Sequence, residues 1–275
     1  EDMTSLTIRG GHVLRPDLSV ERADVLLDRD SGTIRAVGDG LDGDETLDAE
    51  GGLVMPGLVN AHTHAAMTLL RGYADDKPLD RWLREDIWPA EAALEPADVR
   101  AGTDLALAEM IRSGTTHFAD MYFHMPEVVD AVADAGLKAR IAHGVVTVGK
   151  DDAGARADLA EGLDVAEEFD GAAAGRVRTA FAPHSLTTVS EELLAEFVPE
   201  ARAAGVPLHY HANETGDEVT PIVDDHGERP LAYADSLDML GEDDFIAHGV
   251  HLDASEIDLL ADRGTSVVHC PASNM

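Results

Sequence analysis

The sequence predicts an α/β fold, a (β/α)8-type barrel lacking its eighth strand and preceded by a small N-terminal β lobe. From Leu53 onward, short apolar strands alternate with Ala/Leu/Glu-rich helices, and such alternation implies a parallel sheet with right-handed crossovers. Polar residues able to do chemistry fall where those strands end: His62 and His64, Asp120, His184, His211 and Glu214, His248, and His269. In a barrel these ends share one mouth, whereas a doubly wound open sheet would spread them along an edge. The Gly-rich phosphate fingerprint of that rival is absent.

The elements follow in order. Leu6–Arg9, Asp24–Leu27 and Thr33–Val37 alternate between Gly and Asp turns and read as a small antiparallel lobe over residues 1–52. The apolar run Leu53–Val59 reads as a short buried strand that opens the barrel, residues 53–275, with His62 and His64 just past its end. Further strands are expected at Thr115–Tyr122, Ala139–Thr147, Val177–His184, Pro207–Asn213, Phe245–Leu252 and Thr265–Cys270. Helices such as Pro96–Ser113 and Glu191–Ala204 lie between them. That gives seven strands, one fewer than a closed barrel of this kind needs.

Composition narrows the function classes. At 275 residues and 44% hydrophobic content the chain can bury a sizeable core. No apolar run reaches bilayer-spanning length and no charged-then-apolar leader opens it, so a soluble cytoplasmic protein is expected. One cysteine, Cys270, excludes internal disulfides and fits a reducing compartment. The formal charge is −34, from 54 acids against 20 bases. The acids are scattered through helical stretches such as Asp151–Asp170, which reads as a surface adapted to concentrated salt. Such a surface repels phosphates, so nucleic acid is not an expected partner.

His62 and His64 carry the chemistry first. Residues i and i+2 of an extended segment point to the same side, so two imidazoles converge as a metal ion requires. His211 with Glu214 places a third imidazole beside a carboxylate, although H-x-x-E alone is common and reads first as a solvated pair. His209 would point to the same side as His211, so spacing leaves both open as the ligand. His248 ends the sixth strand, where a satisfied structural histidine is the competing reading.

Together these positions resemble the amidohydrolase superfamily. More closely, Pro56–His64, Met67–Gly72, Trp88–Glu91, Ser113–Thr116, Ala119–Tyr122, His211–Thr215, Ala247–Gly249 and His269–Asn274 resemble the 5′-methylthioadenosine/S-adenosylhomocysteine deaminases. Guanine deaminases and triazine hydrolases share much of this pattern and are the alternative reading. The resemblance implies one divalent ion, zinc or else iron, held by His62, His64 and His211 with an aspartate from an eighth strand. It implies that Glu214 shuttles a proton to the purine ring and that His248 orients the attacking water. It assigns substrate contacts to Trp82 (apolar packing), Glu91 (ribose hydroxyls), His184 (ribose edge) and Arg156 (a homocysteine carboxylate). On residues alone, Trp82 and Glu91 also fit core packing and a solvated charge. His143 stands where many relatives carry Arg, which favours methylthioadenosine or another purine nucleoside over a carboxylated one.

The implied partner is thus a small-molecule purine nucleoside, and self-association into a homo-oligomer is compatible with it. A binuclear site bridged by a carbamylated lysine does not fit, since Val177–His184 contains no lysine. The cytidine-type zinc deaminases need paired cysteines and are excluded by the single Cys270. The family pattern continues past Asn274 with an aspartate-bearing strand and strands that complete a composite β-sandwich lobe. A truncated barrel without catalysis is therefore the non-enzyme expectation.

Overall fold

The computed structural model describes residues 4–274. The chain divides into two compact units, Glu1–Gly57 and Leu58–Met275.

The first unit is one five-stranded sheet in which β1 (Ser5–Leu14) pairs antiparallel with β2 (Val20–Asp28), and β2 antiparallel with β3 (Thr33–Gly38). β4 (Glu45–Asp48) and β5 (Leu53–Val54) run parallel to β1 along its other edge. Among the described residues the lobe is therefore a single mixed sheet and not the purely antiparallel one expected. Val13, Ala23 and Val25 form its small core.

The run expected as one buried strand, Leu53–Val59, is split. Leu53 and Val54 pair with His12 and Val13 of the lobe, while Leu58 begins β6 (Leu58–Thr63) of the second unit. Pro56 offers no amide to a ladder, so the strand breaks there, five residues after the boundary the sequence suggests. β6 pairs only with β7 among the described residues, and Leu58 and Val59 are exposed.

The second unit continues with the short helices α1 (Leu79–Trp82) and α2 (Trp88–Glu91) and the long α3 (Pro96–Ser113). Next come β7 (Thr115–Tyr122), α4 (Met125–Ala135), β8 (Lys138–Val145), α5 (Asp152–Phe169) and α6 (Ala172–Gly175). The fourth strand position is shared by β9 (Val177–Thr179) and β10 (Ala182–Pro183) and is followed by α7 (Glu191–Ala203). β11 (His209–Ala212), α8 (Gly216–His226), α9 (Pro230–Ser236) and β12 (Phe245–His248) follow. α10 (Ala254–Arg263), β13 (Ser266–Val268) and α11 (Pro271–Asn274) complete the described chain.

The strands pair in parallel in chain order. β6, β7, β8 and β9/β10 form one sheet, and β11, β12 and β13 another. Parallel bridges from Phe181 to Leu208 and from Ser185 to His211 join the two. The sheet rolls: a side chain of β6 reaches one on β11 at 2.9 Å, across the interior. Seven strand positions of a β/α barrel are therefore present among the described residues.

Local sequence explains the elements. Helix α3 starts at Pro96 behind a reciprocal Glu95–Asp98 capping box and stops at Gly114, whose φ of +81° suits glycine. Its buried face, Val99, Leu107 and Met110, packs with Val128 and Val132 of α4 against Phe118 and Ile141. On the far side Leu194, Phe197 and Val198 of α7 cover Leu208, Tyr210 and Ile246. Alternate residues Met121, Ala142, Ala180 and Ala182 face inward and fill the interior.

Gly102 of α3 lies against the 3₁₀ segment Ala65–Leu70 that follows His64, and a Cβ there would collide with the Ala66 carbonyl. This close approach lets Thr68 Oγ1 donate to Gly102 O at 2.6 Å, fixing the segment behind the two histidines.

Glu161, Asp164, Glu167 and Glu168 occupy the exposed face of α5, like most of the chain's acids. Unscreened repulsion among them opposes the compact state. The melting temperature is accordingly expected to rise as potassium chloride goes from about 0.1 M to about 1 M. Thermal unfolding followed by circular dichroism checks this, and a flat profile would count against a salt-adapted surface.

Candidate metal centre and active site

β6 delivers His62 and His64 to the same side, as their spacing requires, and their rings meet edge to face at 4.9 Å. Asp120 of β7 fixes the backbone beside them. Its buried Oδ1 accepts from Thr63 Oγ1 at 2.9 Å and from Ala65 N at 2.7 Å. Asp120 thus braces the segment that bears the histidines instead of facing the cavity.

His211 arrives from β11 and His248 from β12. His211 lies 4.7 Å from His62 and 5.2 Å from His64 between ring centres, and 5.0 Å from His248. The nitrogens available from His62, His64 and His211 come within 4.8 Å of one another. Glu214 follows on the loop after β11. One of its carboxylate oxygens is 3.8 Å from His211 Nδ1 and the other 3.4 Å from His248 Nδ1. His248 has a φ of +79°, a costly conformation for a residue with a Cβ and one that tends to persist at functional sites.

The tautomers follow from the partners. His64 Nδ1 is 2.6 Å from Met121 O; a carbonyl only accepts, so Nδ1 carries the proton and Nε2 keeps its lone pair. His209 Nδ1 likewise donates to Phe245 O at 2.9 Å, which makes His209 Nε2 the acceptor for His62 Nδ1 at 2.9 Å. His62 Nε2 is left with its lone pair. Asn274 gives a third case: its amide nitrogen faces Glu214 at 3.4 Å, and its oxygen accepts from His248 Nδ1 at 2.8 Å. His248 Nε2 then accepts from His211 Nδ1 at 2.9 Å, and the buried His211 Nε2 has no partner.

Burial keeps His62, His64, His184, His209 and His211 neutral. It is the largest cause in each case, with repulsion from neighbouring rings added. His184 and His209 are pushed down to about 3, and His62, His64 and His211 also lie below the ordinary imidazole value. Three neutral imidazoles with free Nε2 lone pairs, one of them a buried orphan, are the donor set of a divalent metal site. The residues fit the ion.

A cavity of about 340 Å³ opens above them, with an apolar wall that includes Met67, Leu79, Trp82, Leu83, Ile87 and Trp88. Trp82 turns its indole N–H to Ala74 O at 3.1 Å. Glu91 lines the same cavity, and burial raises its carboxyl to about 7. His184 stacks on His211 at 4.5 Å and bonds through Nδ1 to Thr188 Oγ1 at 3.1 Å.

Two expectations are corrected. Arg156 does not reach the cavity: it sits on α5, paired with Asp152 at 3.1 Å, Glu192 at 3.2 Å and Glu196. His143 shares the outward parity of Ile141 and Val145 and bonds to Asp158 of α5 at 2.9 Å, so it is not a substitute for a cavity arginine. His269 lines a separate cavity.

Glu218 is a residue the sequence reading missed. Its carboxylate accepts from Asn213 N at 3.1 Å and Glu214 N at 2.8 Å, clamping the backbone that carries Glu214. The signal was legible: Thr215-x-x-Glu218 is a helix-start pattern, and Thr215 Oγ1 does accept from Glu218 N. Asn274 was seen only as the end of a motif.

A parallel β/α barrel whose strand ends gather imidazoles and a carboxylate at one cavity defines a metal-dependent hydrolase barrel. The sequence profile of the amidohydrolase family matches residues 53–275, and the chain belongs to that family. It is 67% identical over 273 residues to a 5-methylthioadenosine/S-adenosylhomocysteine deaminase of Natronomonas pharaonis, covering 99% of this chain and 63% of the relative. It is 42% identical over 276 residues to a 5′-deoxyadenosine deaminase of Methanosarcina mazei, covering 99% and 64%. A zinc-bound adenosine deaminase structure from Xanthomonas campestris superposes with a TM-score of 0.89 at 34% identity, over 98% of this chain and 63% of that one. The chain thus spans about 63% of the length of the curated relatives it matches. Among the described residues no helix is long and apolar enough to cross a membrane.

Proposed function

We propose that the protein is a zinc-dependent hydrolytic deaminase of adenosine-type nucleosides, acting on methylthioadenosine in preference to S-adenosylhomocysteine. The observation that carries this is the meeting of three free imidazole lone pairs with Glu214 and His248 at the floor of one cavity with an apolar wall. The names of the most similar relatives point the same way.

Bound there, a divalent ion supplies Lewis acidity and brings the pKa of a water molecule towards neutrality. The chain's own residues do the rest. The apolar wall takes the flat purine, and Glu91 takes the ribose hydroxyls. His248, held at Nδ1 by Asn274, accepts from His211 Nδ1 at its Nε2 and so fixes the His211 tautomer at the floor of the cavity. Glu214 carries a proton to the purine ring nitrogen. A C–O bond forms at the carbon bearing the amino group, the water's second proton passes to that amino group, and the carbon's C–N bond breaks to release ammonia.

The preference within the class rests on charge. The cavity is lined by Glu91 and Glu214, and no Arg or Lys lines it among the described residues. A homocysteine carboxylate would have no counter-charge there, whereas a methylthio group suits the apolar wall. The test is ammonia release by the zinc-loaded full-length protein from methylthioadenosine, S-adenosylhomocysteine and guanine. Methylthioadenosine is expected to have the highest kcat/KM. A preference for guanine would overturn the class, and a preference for S-adenosylhomocysteine would overturn the selectivity.

A further inference from the structure

We propose that His209 is a positioning residue for the metal centre, fixing the tautomer and ring orientation of His62 so that His62 Nε2 faces the ion. This rests on the metal-site reading above. His209 is 1% exposed and constrained on every side. Its ring stacks on Phe245 at 4.0 Å with planes 16° apart, which sets its plane. Its Nδ1 is committed to Phe245 O at 2.9 Å, which sets its proton and leaves Nε2 as an acceptor. Among the described residues the group on that nitrogen is His62 Nδ1, at 2.9 Å.

The need for such a partner follows from topology. His64 has a backbone carbonyl, Met121 O, to receive its Nδ1 proton. His62, one pleat earlier on a strand paired only on its β7 side among the described residues, bonds to no carbonyl there. Without an acceptor at Nδ1, His62 is free to carry its proton on Nε2, and a protonated nitrogen cannot bind a cation. β11 resolves this with two residues on the same side. His211 joins the ligand set directly, and His209, two positions earlier, reaches across the interior to hold the ligand on the opposite wall.

The experiment measures zinc affinity by competition with a chromophoric chelator, in full-length wild type, His209→Phe and His209→Gln, alongside the melting temperature of each apo protein. Phenylalanine keeps the volume and the stack but accepts nothing, so zinc affinity should fall about 10- to 100-fold, the usual effect of losing an outer partner of a ligand. Glutamine can accept at the same place and should stay within a few-fold of wild type. Unchanged affinity in His209→Phe, or equal losses in both variants, would overturn the proposal. Where phenylalanine also lowers the apo melting temperature, isotope-edited imidazole NMR of the wild type decides: His62 protonated at Nδ1 supports the role, and protonation at Nε2 refutes it. Wild type that binds no ion would overturn the metal-site reading instead, and this proposal with it.

Discussion

Replacing Glu214 by Gln is expected to slow ammonia release from methylthioadenosine by about 10²- to 10⁴-fold, the usual contribution of a positioned acid/base group, with metal content unchanged. The side chain keeps its size, and its remaining oxygen can still accept from Asn274. The Glu218 clamp acts on the backbone amides of Asn213 and Glu214, so the substitution leaves the loop in place. What disappears is the carboxylate beside His211 and His248. Steady-state kinetics with metal analysis of the same sample separates the two effects. A kcat within a few-fold of wild type would sink the proton-transfer role.

Much of this site was legible because strand geometry is simple. The two-residue period places His62 beside His64, and parallel β/α order brings the ends of β6, β11 and β12 to one cavity. The helix over Pro96–Ser113 was readable to the residue because its Pro, capping box and terminal Gly are all local signals. The errors share a different cause. Leu53–Val59 is apolar throughout, yet which residues belong to which sheet depends on pairing partners distant in the chain. The resemblance alone brings His143 and Arg156 to the substrate: strand register turns His143 towards the helix layer, and Arg156 lies on α5, where Asp152, Glu192 and Glu196 hold it. The choice between His209 and His211 was not available from spacing, since both point inward. The commitment of His209 Nδ1 to Phe245 O is what favours His211 as the proposed ligand and His209 as the proposed support of His62.

Chelating the ion should have the other large effect: turnover lost completely, restored by zinc, and a melting temperature lowered by about 8–16 °C. The size follows from linkage. A ligand held at about a thousand times its dissociation constant stabilises the native state by about 4 kcal/mol, and each kcal/mol is worth about 2–4 °C in a domain of this size. The structural reason lies in the donors. His62, His64 and His211 are neutral because burial disfavours their charged forms, so no cationic rings repel an incoming ion. Their Nδ1 atoms are already spent on His209, Met121 O and His248, which leaves the Nε2 atoms facing one another. In the apo protein those lone pairs must tolerate their own proximity, and the orphaned His211 Nε2 lacks any partner. The ion removes both costs at once. Differential scanning calorimetry with and without chelator, with kinetics on the same samples, tests the coupling. Full activity and an unshifted melting temperature after complete metal removal would show that these imidazoles do not form a metal centre.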